Sequence, residues 1–451
     1  MKHLWKLLAV IVLVIAIGAC ANKKSESLQQ PNIVLIMADD LGYGELSCYG
    51  SDWVNTPNID LLASQGIRFT DYHSNGPVCS PTRAALMTGK YQQRTGVEGV
   101  ITAANHRDVG LSLDEITMAE ELKRLGYTCA MYGKWHLGYA KEFNPRLQGF
   151  DHFIGFVSGN IDYHSHIDQE GYLDWWNDTI IDNEHGYSTD LITRYGVDFI
   201  KNNNPKKTGK PFFLYLPQEA PHYPIQGRND LPVREEGNKK YIRKVPKDSV
   251  KIIYTEMIET MDEGVGDIMK TLTAEGLDEN TIVIFCSDNG AAGARGDNGV
   301  LRGAKASVYE GGHRVPGMVR YPGKIEAGTV CNTPVVGMDF LPTLLDFAGA
   351  NPSGKNIDGV SIKDLLVDRV DLPDRDLFWS FGHQNAVRSG KWKLVKMDGQ
   401  ETSSIELFDI DADISESKDL SEQFPEVTQK LLQKLDDWNA EVRAGVTPVS
   451  K

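Results

Sequence analysis

A chain of 451 residues with 41% hydrophobic residues can bury a large core, so the sequence predicts a globular protein of two or three domains, or one large domain with an appendage. The formal net charge of −15 at pH 7 argues against a general nucleic-acid-binding or anionic-membrane surface. An anionic substrate would therefore require positive charge concentrated in a pocket.

The N-terminal segment has the pattern of an export signal. Lys2 and Lys6 precede an apolar run over residues 7–17, which is too short for a membrane-spanning helix. The run ends before Cys20 in a sequence that resembles a bacterial lipobox, which predicts cleavage and lipidation at Cys20; an ordinary signal peptide is the alternative. Residues 21–30 are polar and would form a flexible tether. The pattern predicts an exported lipoprotein of a Gram-negative bacterium, periplasmic or at the outer membrane, that contacts the membrane through its lipid anchor only.

A strand buried on both faces is predicted where the folded part begins. Residues 32–38 form a continuous apolar, β-branched run after Pro31, and Asp39 and Asp40 follow it directly. Further strands are predicted over residues 127–132, 212–216 and 281–286. Ligands collect at the carboxyl ends of strands in open α/β sheets, so the polar residues after these strands are candidates for a site.

Cys79 is predicted to lie at the N-terminal end of a short helix. Small residues follow it and end at Gly89, Pro81 suits the first helical turn, and Ser80 is predicted to be the N-cap. Free backbone donors and the helix dipole favour an anion beside Cys79, and Arg83, one turn later, should face the same way. We therefore expect an anionic substrate or intermediate at this cysteine.

Helices are predicted between the strands. Ser112–Glu115 resembles a capping box, and apolar residues then recur on one helical face until Gly126. Residues 251–275 predict a long helix that Gly276 ends. Strands alternating with helices predict an α/β fold whose large, mostly parallel sheet is sandwiched by helices.

From about Leu377 the sequence consists of short apolar segments separated by turn residues, which predicts a small antiparallel sheet. Apolar residues from Val427 to Trp438 predict a final amphipathic helix. The predicted divisions are residues 1–20 as signal peptide, 21–30 as tether, 31–375 as the main domain and 376–451 as a C-terminal subdomain. Disulfides are possible in an exported protein, but Cys129 and Cys286 lie in apolar runs and are expected to be unpaired.

Four oxygen-bearing side chains follow two of the predicted strands: Asp39, Asp40, Asp288 and Asn289. A parallel sheet would bring them together at one edge. Three converging carboxylates would repel each other, and a hard divalent cation with oxygen ligands resolves that conflict. Calcium is the predicted ion, and the residue types alone leave magnesium as an alternative.

Six motifs, in this order, resemble those of the formylglycine-dependent sulfatases. They are Asp39-Asp40, Cys79-x-Pro81-x-Arg83, the run from Gly133 to Gly138 that contains Lys134 and His136, Pro221-His222, the run Ser287-Asp288-Asn289-Gly290, and Lys305 before Glu310-Gly311-Gly312. The resemblance covers about residues 31–345 and implies a sulfuric ester hydrolase of the alkaline phosphatase-like superfamily. It also implies one calcium ion per chain and a maturation enzyme that oxidises Cys79 to formylglycine. Ala304 and Ala306 stand where relatives commonly have glycines.

The resemblance implies a role for each matching residue. Calcium would be bound by Asp39, Asp40, Asp288, Asn289 and the modified Cys79. Arg83 and Lys134 would stabilise the aldehyde hydrate, and His136 would act as its base. Lys134 and Lys305 would hold the sulfate, and His222 with Lys305 would protonate the leaving alcohol.

A sulfated carbohydrate is the expected substrate. Residues 156–176 carry Asn160, Asp162, Tyr163, His164, His166, Trp175 and Trp176. Aromatic faces stack on sugar rings and polar groups bond hydroxyls, so this insertion is predicted to contact carbohydrate; a loop packed beneath the core is the alternative. The sequence leaves two alternative functions. One is a phosphonate or phosphodiester hydrolase of the same superfamily, and the other is a non-catalytic surface lipoprotein that binds sulfated glycan. The motif around Lys134 and His136 argues against the first, and the complete catalytic set argues against the second.

Overall fold

The computed structural model describes residues 30–399 and 403–449. The predicted signal peptide, the lipidation site Cys20 and most of the tether lie outside these residues. Within the described part, no helix has both the length and the apolar character that crossing a bilayer would need.

A ten-stranded mixed sheet occupies the centre of the described chain. All strands of the described residues, including those of a two-stranded sheet (β3 and β12) and a four-stranded sheet (β13–β16), are β1 (Asn32–Ala38), β2 (Ile67–Phe69), β3 (Tyr72–His73), β4 (Thr128–Lys134), β5 (His152–Phe156), β6 (Trp176–Asn177), β7 (Ile180–Ile181), β8 (Phe212–Pro217), β9 (Thr281–Ser287), β10 (Gly317–Arg320), β11 (Thr329–Cys331), β12 (Val335–Val336), β13 (Asp376–Phe381), β14 (Gln384–Ser389), β15 (Trp392–Met397) and β16 (Ser404–Asp409). The large sheet has the order β11-β2-β10-β9-β1-β8-β4-β5-β6-β7. Strands β9, β1, β8, β4 and β5 run parallel, whereas β10 is antiparallel to β9, β6 is antiparallel to β5, and β7 is antiparallel to β6. The predicted parallel sheet is confirmed at its centre.

Helices cover this sheet. They are α1 (Pro57–Ser64), α2 (Cys79–Thr88), α3 (Gln92–Thr95), α4 (Met118–Arg124), α5 (Ser188–Asn202), α6 (Pro205–Thr208), α7 (Val250–Ala274), α8 (Glu310–His313), α9 (Phe340–Phe347), α10 (Lys363–Asp368) and α11 (Pro425–Val442). The long helix predicted over residues 251–275 is α7, and the final amphipathic helix is α11.

Strand β1 is buried on both faces, as its sequence predicted. Ile33, Leu35 and Met37 belong to one apolar cluster, whereas Val34, Ile36 and Ala38 belong to the cluster on the opposite face of the sheet. Ala38 pairs with Ser287 of β9, and Met37 pairs with Pro217 of β8. The residues that follow these three strands therefore meet at the same edge.

Two helix starts differ from the predictions. Helix α2 begins with Cys79 itself after the extended residue Val78, so Ser80 is not its N-cap; the Ser80 hydroxyl instead accepts a hydrogen bond from the backbone N–H of Ile101 (3.1 Å). Helix α4 begins near Thr117 rather than Ser112. The side chain of Thr117 accepts from the N–H of Glu120, whose carboxylate accepts from the N–H of Thr117, which completes the capping box five residues later than predicted.

Strands β13–β16 form the predicted antiparallel sheet, against which α11 packs. Its apolar cluster also contains Tyr91 and Val336, which belong to the main body of the chain. From Pro31 onward the chain forms a single compact unit, and the subdomain boundary after residue 375 stays a prediction. The buried Cys129 and Cys286 carry free thiols, as expected, and Cys48 and Cys331 are also free.

Candidate active site

The predicted site residues lie together at the carboxyl edge of the parallel strands. Asp39 and Asp40 follow β1, Asp288 and Asn289 follow β9, Lys134 ends β4, His136 lies two residues beyond it, His222 lies in the turn after β8, Cys79 and Arg83 lie in α2, and Lys305 lies in the loop before α8. The backbone N–H of Asp40 donates to the carboxylate of Asp288 at 3.1 Å, which joins the two strand ends. Asp39 and Asp288 have no exposed surface.

Each of the three carboxylates is paired with a cation: Lys134 Nζ donates to Asp39 at 2.5 Å, Arg83 Nη2 to Asp288 at 2.8 Å, and Lys305 Nζ to Asp40 at 2.5 Å. The Arg83 guanidinium also donates to the carbonyl of Lys134 (2.9 Å), so one side chain fixes α2 against β4. Burial and the neighbouring Asp288 raise the pKa of Asp39 to about 7. The cluster therefore combines three buried acids with the positive charge that an anionic substrate requires.

Cys79 lies between an acid and a cation of this cluster. Its Sγ is 3.4 Å from the Asp39 carboxylate and 3.5 Å from Nζ of Lys305. Burial, together with Asp288 and Asp39, raises the pKa of the Cys79 thiol above its usual range. The unmodified thiol is therefore held protonated, which makes it a poor nucleophile.

His136 is held as a neutral imidazole. Burial and the neighbouring cations Lys134 and Arg83 lower its pKa well below the usual value. Its Nε2 lies 2.9 Å from the carbonyl oxygen of Ile101, which can only accept a hydrogen bond, so Nε2 carries the proton. Nδ1 then has a free lone pair, and it has no hydrogen-bond partner among the described residues. His136 therefore presents Nδ1 as a base.

His222 has the opposite tautomer. Its Nδ1 donates to the carbonyl of Tyr223 at 2.7 Å, and its Nε2 lies 3.7 Å from the Asp40 carboxylate. Burial and the neighbouring Lys305 lower its pKa well below the usual value. Nε2 is therefore the atom of His222 that faces the acidic cluster, and it is the position at which a proton is gained or given.

The donor set fits a hard cation. Ligand atoms of Asp39, Asp40, Cys79 and His222 all lie within 4.8 Å of one another. Asn289 donates from Nδ2 to Asp40 (2.8 Å), while its buried Oδ1 has no hydrogen-bond partner among the described residues. An unpartnered amide oxygen beside converging carboxylates is the donor set that calcium or magnesium prefers.

A second buried group, His73, Glu310 and His313, also has metal-binding residue types. Here the structure gives another explanation, because the ammonium of Lys393 lies 2.8 Å from Glu310 and 3.2 Å from Nε2 of His313. Asp71 holds the other end of the group through Nε2 of His73 at 2.8 Å. These residues form a hydrogen-bonded network between the main body and the C-terminal sheet.

A cavity of about 500 Å³ opens over Cys79. Its wall includes both candidate histidines, Lys305 and, farther out, Asn160, Tyr223 and Arg295. This volume exceeds what a sulfate group fills, so the pocket has room for the group that carries it.

The sugar-stacking role predicted for Tyr163, Trp175 and Trp176 is wrong, because all three rings are buried. Tyr163 and Trp175 have no exposed surface, and the Trp175 ring stacks on buried His166 with centroids 4.4 Å apart. The Trp176 indole is also buried and donates to Asp174 at 2.7 Å. Most of this insertion is packed against the core because its rings complete the apolar cluster beside β4 and β8, which is the alternative that the sequence left open. The segment nevertheless contributes residues 158–160 to the pocket wall.

Sequence reasoning missed Glu219, a fully buried carboxylate three residues before His222. It accepts from the N–H of Ile161 at 2.7 Å and from the hydroxyl of Ser188 at 3.2 Å. These bonds tie the His222 turn to the insertion that forms part of the pocket wall. The sequence signal that could have identified Glu219 is a carboxylate two residues before the Pro221-His222 motif.

The family models and relatives that match this chain are sulfatases. The sequence model of the family described as "Sulfatase" matches residues 31–350, and that of "N-sulphoglucosamine sulphohydrolase, C-terminal" matches residues 303–441. Arylsulfatase J of Mus musculus is 31% identical over 91% of this chain and 76% of its own. N-acetylgalactosamine-6-sulfatase of the same species is 32% identical over 84% of this chain and 75% of its own.

A solved structure has the same architecture. The structure described as "Ps i-CgsB in complex with k-i-k-neocarrahexaose" superposes with a TM-score of 0.83 and 29% identity, over 94% of this chain and 95% of that one. The superposition covers most of this chain, and the second family model spans the four strands of the C-terminal sheet.

Proposed function

This chain belongs to the sulfatase family and is a sulfatase of the alkaline phosphatase-like fold, and from that premise we propose that it removes sulfate from a sulfated carbohydrate through formylglycine at position 79 and one calcium ion. The observation that carries the proposal is the buried cluster in which Cys79 lies between Asp39 and Lys305, 3.4 and 3.5 Å away. The positively charged side chains and the helix N-terminus at this site favour the binding of an anionic ester.

The set of oxygen donors supports the cation. Asp39, Asp40, Asp288 and the orphan oxygen of Asn289 would hold it. Formylglycine would supply, as its hydrate, a nucleophile with a second hydroxyl that permits sulfate expulsion, and calcium would supply Lewis-acid stabilisation of the charge on the sulfate oxygens.

Binding and orientation of the sulfate fall to the cations of the chain. Lys134 and Lys305 each have an ammonium 2.5 Å from a carboxylate, so each can share its remaining protons with sulfate oxygens. Arg83 grips the Asp288 carboxylate with two donors, at 2.8 and 3.2 Å, and keeps it in place beside position 79. The charged form of the substrate is thereby balanced before reaction begins.

The two histidines divide the proton transfers. His136 takes a proton at Nδ1, the nitrogen left free by the hydrogen bond from Nε2 to Ile101. His222 passes a proton from the Lys305 ammonium to the departing alcohol oxygen: its free Nε2 takes up the proton from Lys305 and then releases it to the alkoxide, which leaves Lys305 neutral. A sugar alkoxide is too basic to leave unprotonated, so this second transfer is required for a carbohydrate ester.

A sulfated sugar is supported by the relatives and by the pocket. One relative is named N-acetylgalactosamine-6-sulfatase, and one similar solved structure is described as a complex with k-i-k-neocarrahexaose. The cavity of about 500 Å³ has room for at least one sugar ring beyond the sulfate. The predicted export and the lipid anchor at Cys20 remain part of the proposal, supported by the sequence pattern alone.

The test compares two activated substrates. Protein co-produced with a formylglycine-generating enzyme should hydrolyse an aryl sulfate with a kcat/KM at least tenfold above that for the corresponding aryl phosphodiester. A reversed ratio would favour the phosphodiester hydrolase. No turnover of either ester by protein whose Cys79 is fully converted would favour the glycan-binding protein.

A further inference from the structure

Arg295 is an unpaired cation in the wall of the active-site pocket. It lines the same cavity as Cys79 and Lys305, and its side chain is exposed. Within residues 30–399 and 403–449, no carboxylate lies within ion-pair distance of its guanidinium. The chain has a net charge of −15, so its overall field repels an anionic ligand, and Arg295 provides positive charge at one point of the pocket wall.

A stack of side chains connects Arg295 to the candidate acid. The guanidinium lies over the ring of Tyr223, 5.4 Å from its centroid, and that ring stacks on His222 with centroids 4.4 Å apart and planes 26° apart. His222 is buried, Tyr223 is partly buried and Arg295 is exposed, so the stack leads outward from the acidic cluster. A ligand group that contacts Arg295 would therefore belong to the part of the ligand that passes His222.

The contacts hold the guanidinium in place and leave its donors free. A cation over an aromatic face is attracted by the ring quadrupole, which restrains the plane of the guanidinium. The Tyr223 hydroxyl is held in turn, since Gln169 Nε2 donates to it at 2.6 Å. The guanidinium N–H groups of Arg295 have no hydrogen-bond acceptor among the described residues, so they can form paired hydrogen bonds with a carboxylate or a sulfate.

We propose that Arg295 binds a second anionic group of the substrate, carried by the alcohol that leaves rather than by the sulfate that is removed. The preferred substrate class is then a sulfated glycan with a further acid nearby, either the carboxylate of a uronic acid or another sulfate. This inference rests on the proposed function, because His222 marks the leaving-group side only if the enzyme hydrolyses a sulfate ester.

The experiment measures kcat and KM for three substrates that share one sulfated sugar: the monosaccharide alone, the same sugar linked to a uronic acid, and a disaccharide with a second sulfate. The wild-type enzyme should favour at least one of the doubly charged substrates about tenfold or more in kcat/KM, mainly through KM. Arg295→Ala should reduce that preference about tenfold, and Arg295→Lys should retain part of it because the charge remains. The favoured substrate identifies the anion as carboxylate or sulfate.

Arg68→Ala is the matched control. Arg68 also lies over a tyrosine ring, 5.1 Å from the centroid of Tyr49, but it does not line the pocket. This variant should keep the wild-type preference. Hydrolysis of the monosaccharide sulfate without any preference for a second charge, or a preference that survives Arg295→Ala, would overturn the inference while leaving the proposed function intact. No sulfate release from any of the three would refute both.

Discussion

Replacing Gly159 by alanine tests how His136 is positioned. A Cβ at residue 159 would lie 2.7 Å from Nε2 of His136 and 2.8 Å from its Cε1. Ordinary contacts to a Cβ begin near 3.4 Å, so the imidazole would have to retreat by about 0.7 Å. That shift strains the 2.9 Å hydrogen bond from Nε2 to Ile101, which sets the tautomer of the ring. The change therefore acts on the base without touching a charged group.

The size of the effect follows from this geometry. Misplacement of a catalytic group by ~1 Å costs on the order of 100-fold, so a retreat of this size should lower kcat by about 10- to 100-fold. The overpacking itself should cost about 1–3 kcal/mol of stability, which a domain of this size tolerates. Residue 159 does not have a left-handed φ, so the backbone accepts alanine without further strain.

The assay is steady-state kinetics on an aryl sulfate and a sugar sulfate, with chemical denaturation as a check on folding. Both substrates should lose kcat by the same factor, because His136 acts after the alcohol has left. Gly354→Ala is the control: its Cβ would meet the end of the Ile357 side chain at 3.3 Å and the Cβ of Ile116 at 4.0 Å, and neither contact reaches the active site. A folded Gly159→Ala enzyme with kcat within twofold of wild type would refute the assignment of His136 as a positioned base.

Three further outcomes are expected. His222→Ala should lose at least tenfold more activity on a sugar sulfate than on a nitrophenyl sulfate, because only the sugar alkoxide needs a proton, and equal losses would contradict its role as the acid. Ala306→Gly should raise the free energy of unfolding by up to about 1 kcal/mol, measured by denaturant titration, because Ala306 has a φ of +70° that costs an L-residue more than glycine; a decrease would contradict that strain. Burial lowers the pKa of His166 to about 4, so the unfolded chain binds an extra proton between about pH 4 and 6.5. Wild-type stability should therefore fall as pH falls through that window, by up to about 1.4 kcal/mol per pH unit, and the slope should be smaller in His166→Asn, where an unchanged slope would exclude this histidine.

The centre of the fold was predictable because burial leaves few alternatives. An apolar, β-branched run such as residues 32–38 can satisfy its backbone and bury both faces only inside a covered sheet. The positions of Asp39 and Asp288 then follow, because parallel strands end at the same edge. Cys79 and Arg83 were predictable as a pair because one helical turn separates them.

Tertiary contacts decided the features that were mispredicted. Ser80 has the chemistry of an N-cap, but its hydroxyl accepts from Ile101 of a distant loop, and only the folded chain brings that partner near. Two capping-box patterns compete before α4, and the one at Thr117 prevails because its hydroxyl also donates to the carbonyl of Gln148 at 2.7 Å. The rings of residues 156–176 have the composition of a sugar site, yet composition does not tell which face of a ring is covered by the core.

Sulfate ester hydrolysis by this protein should depend on the modified residue 79 within this acidic cluster. Preparations that differ in the extent of Cys79 conversion provide the test. The converted fraction is determined by mass spectrometry of the peptide that contains residue 79, and the rate of sulfate release from one glycan substrate is measured per protein chain. Activity should rise in proportion to the converted fraction and extrapolate to zero for the unconverted cysteine. Substantial activity in the fully unconverted protein, or none at full conversion with calcium present, would show that hydrolysis does not depend on the modified residue.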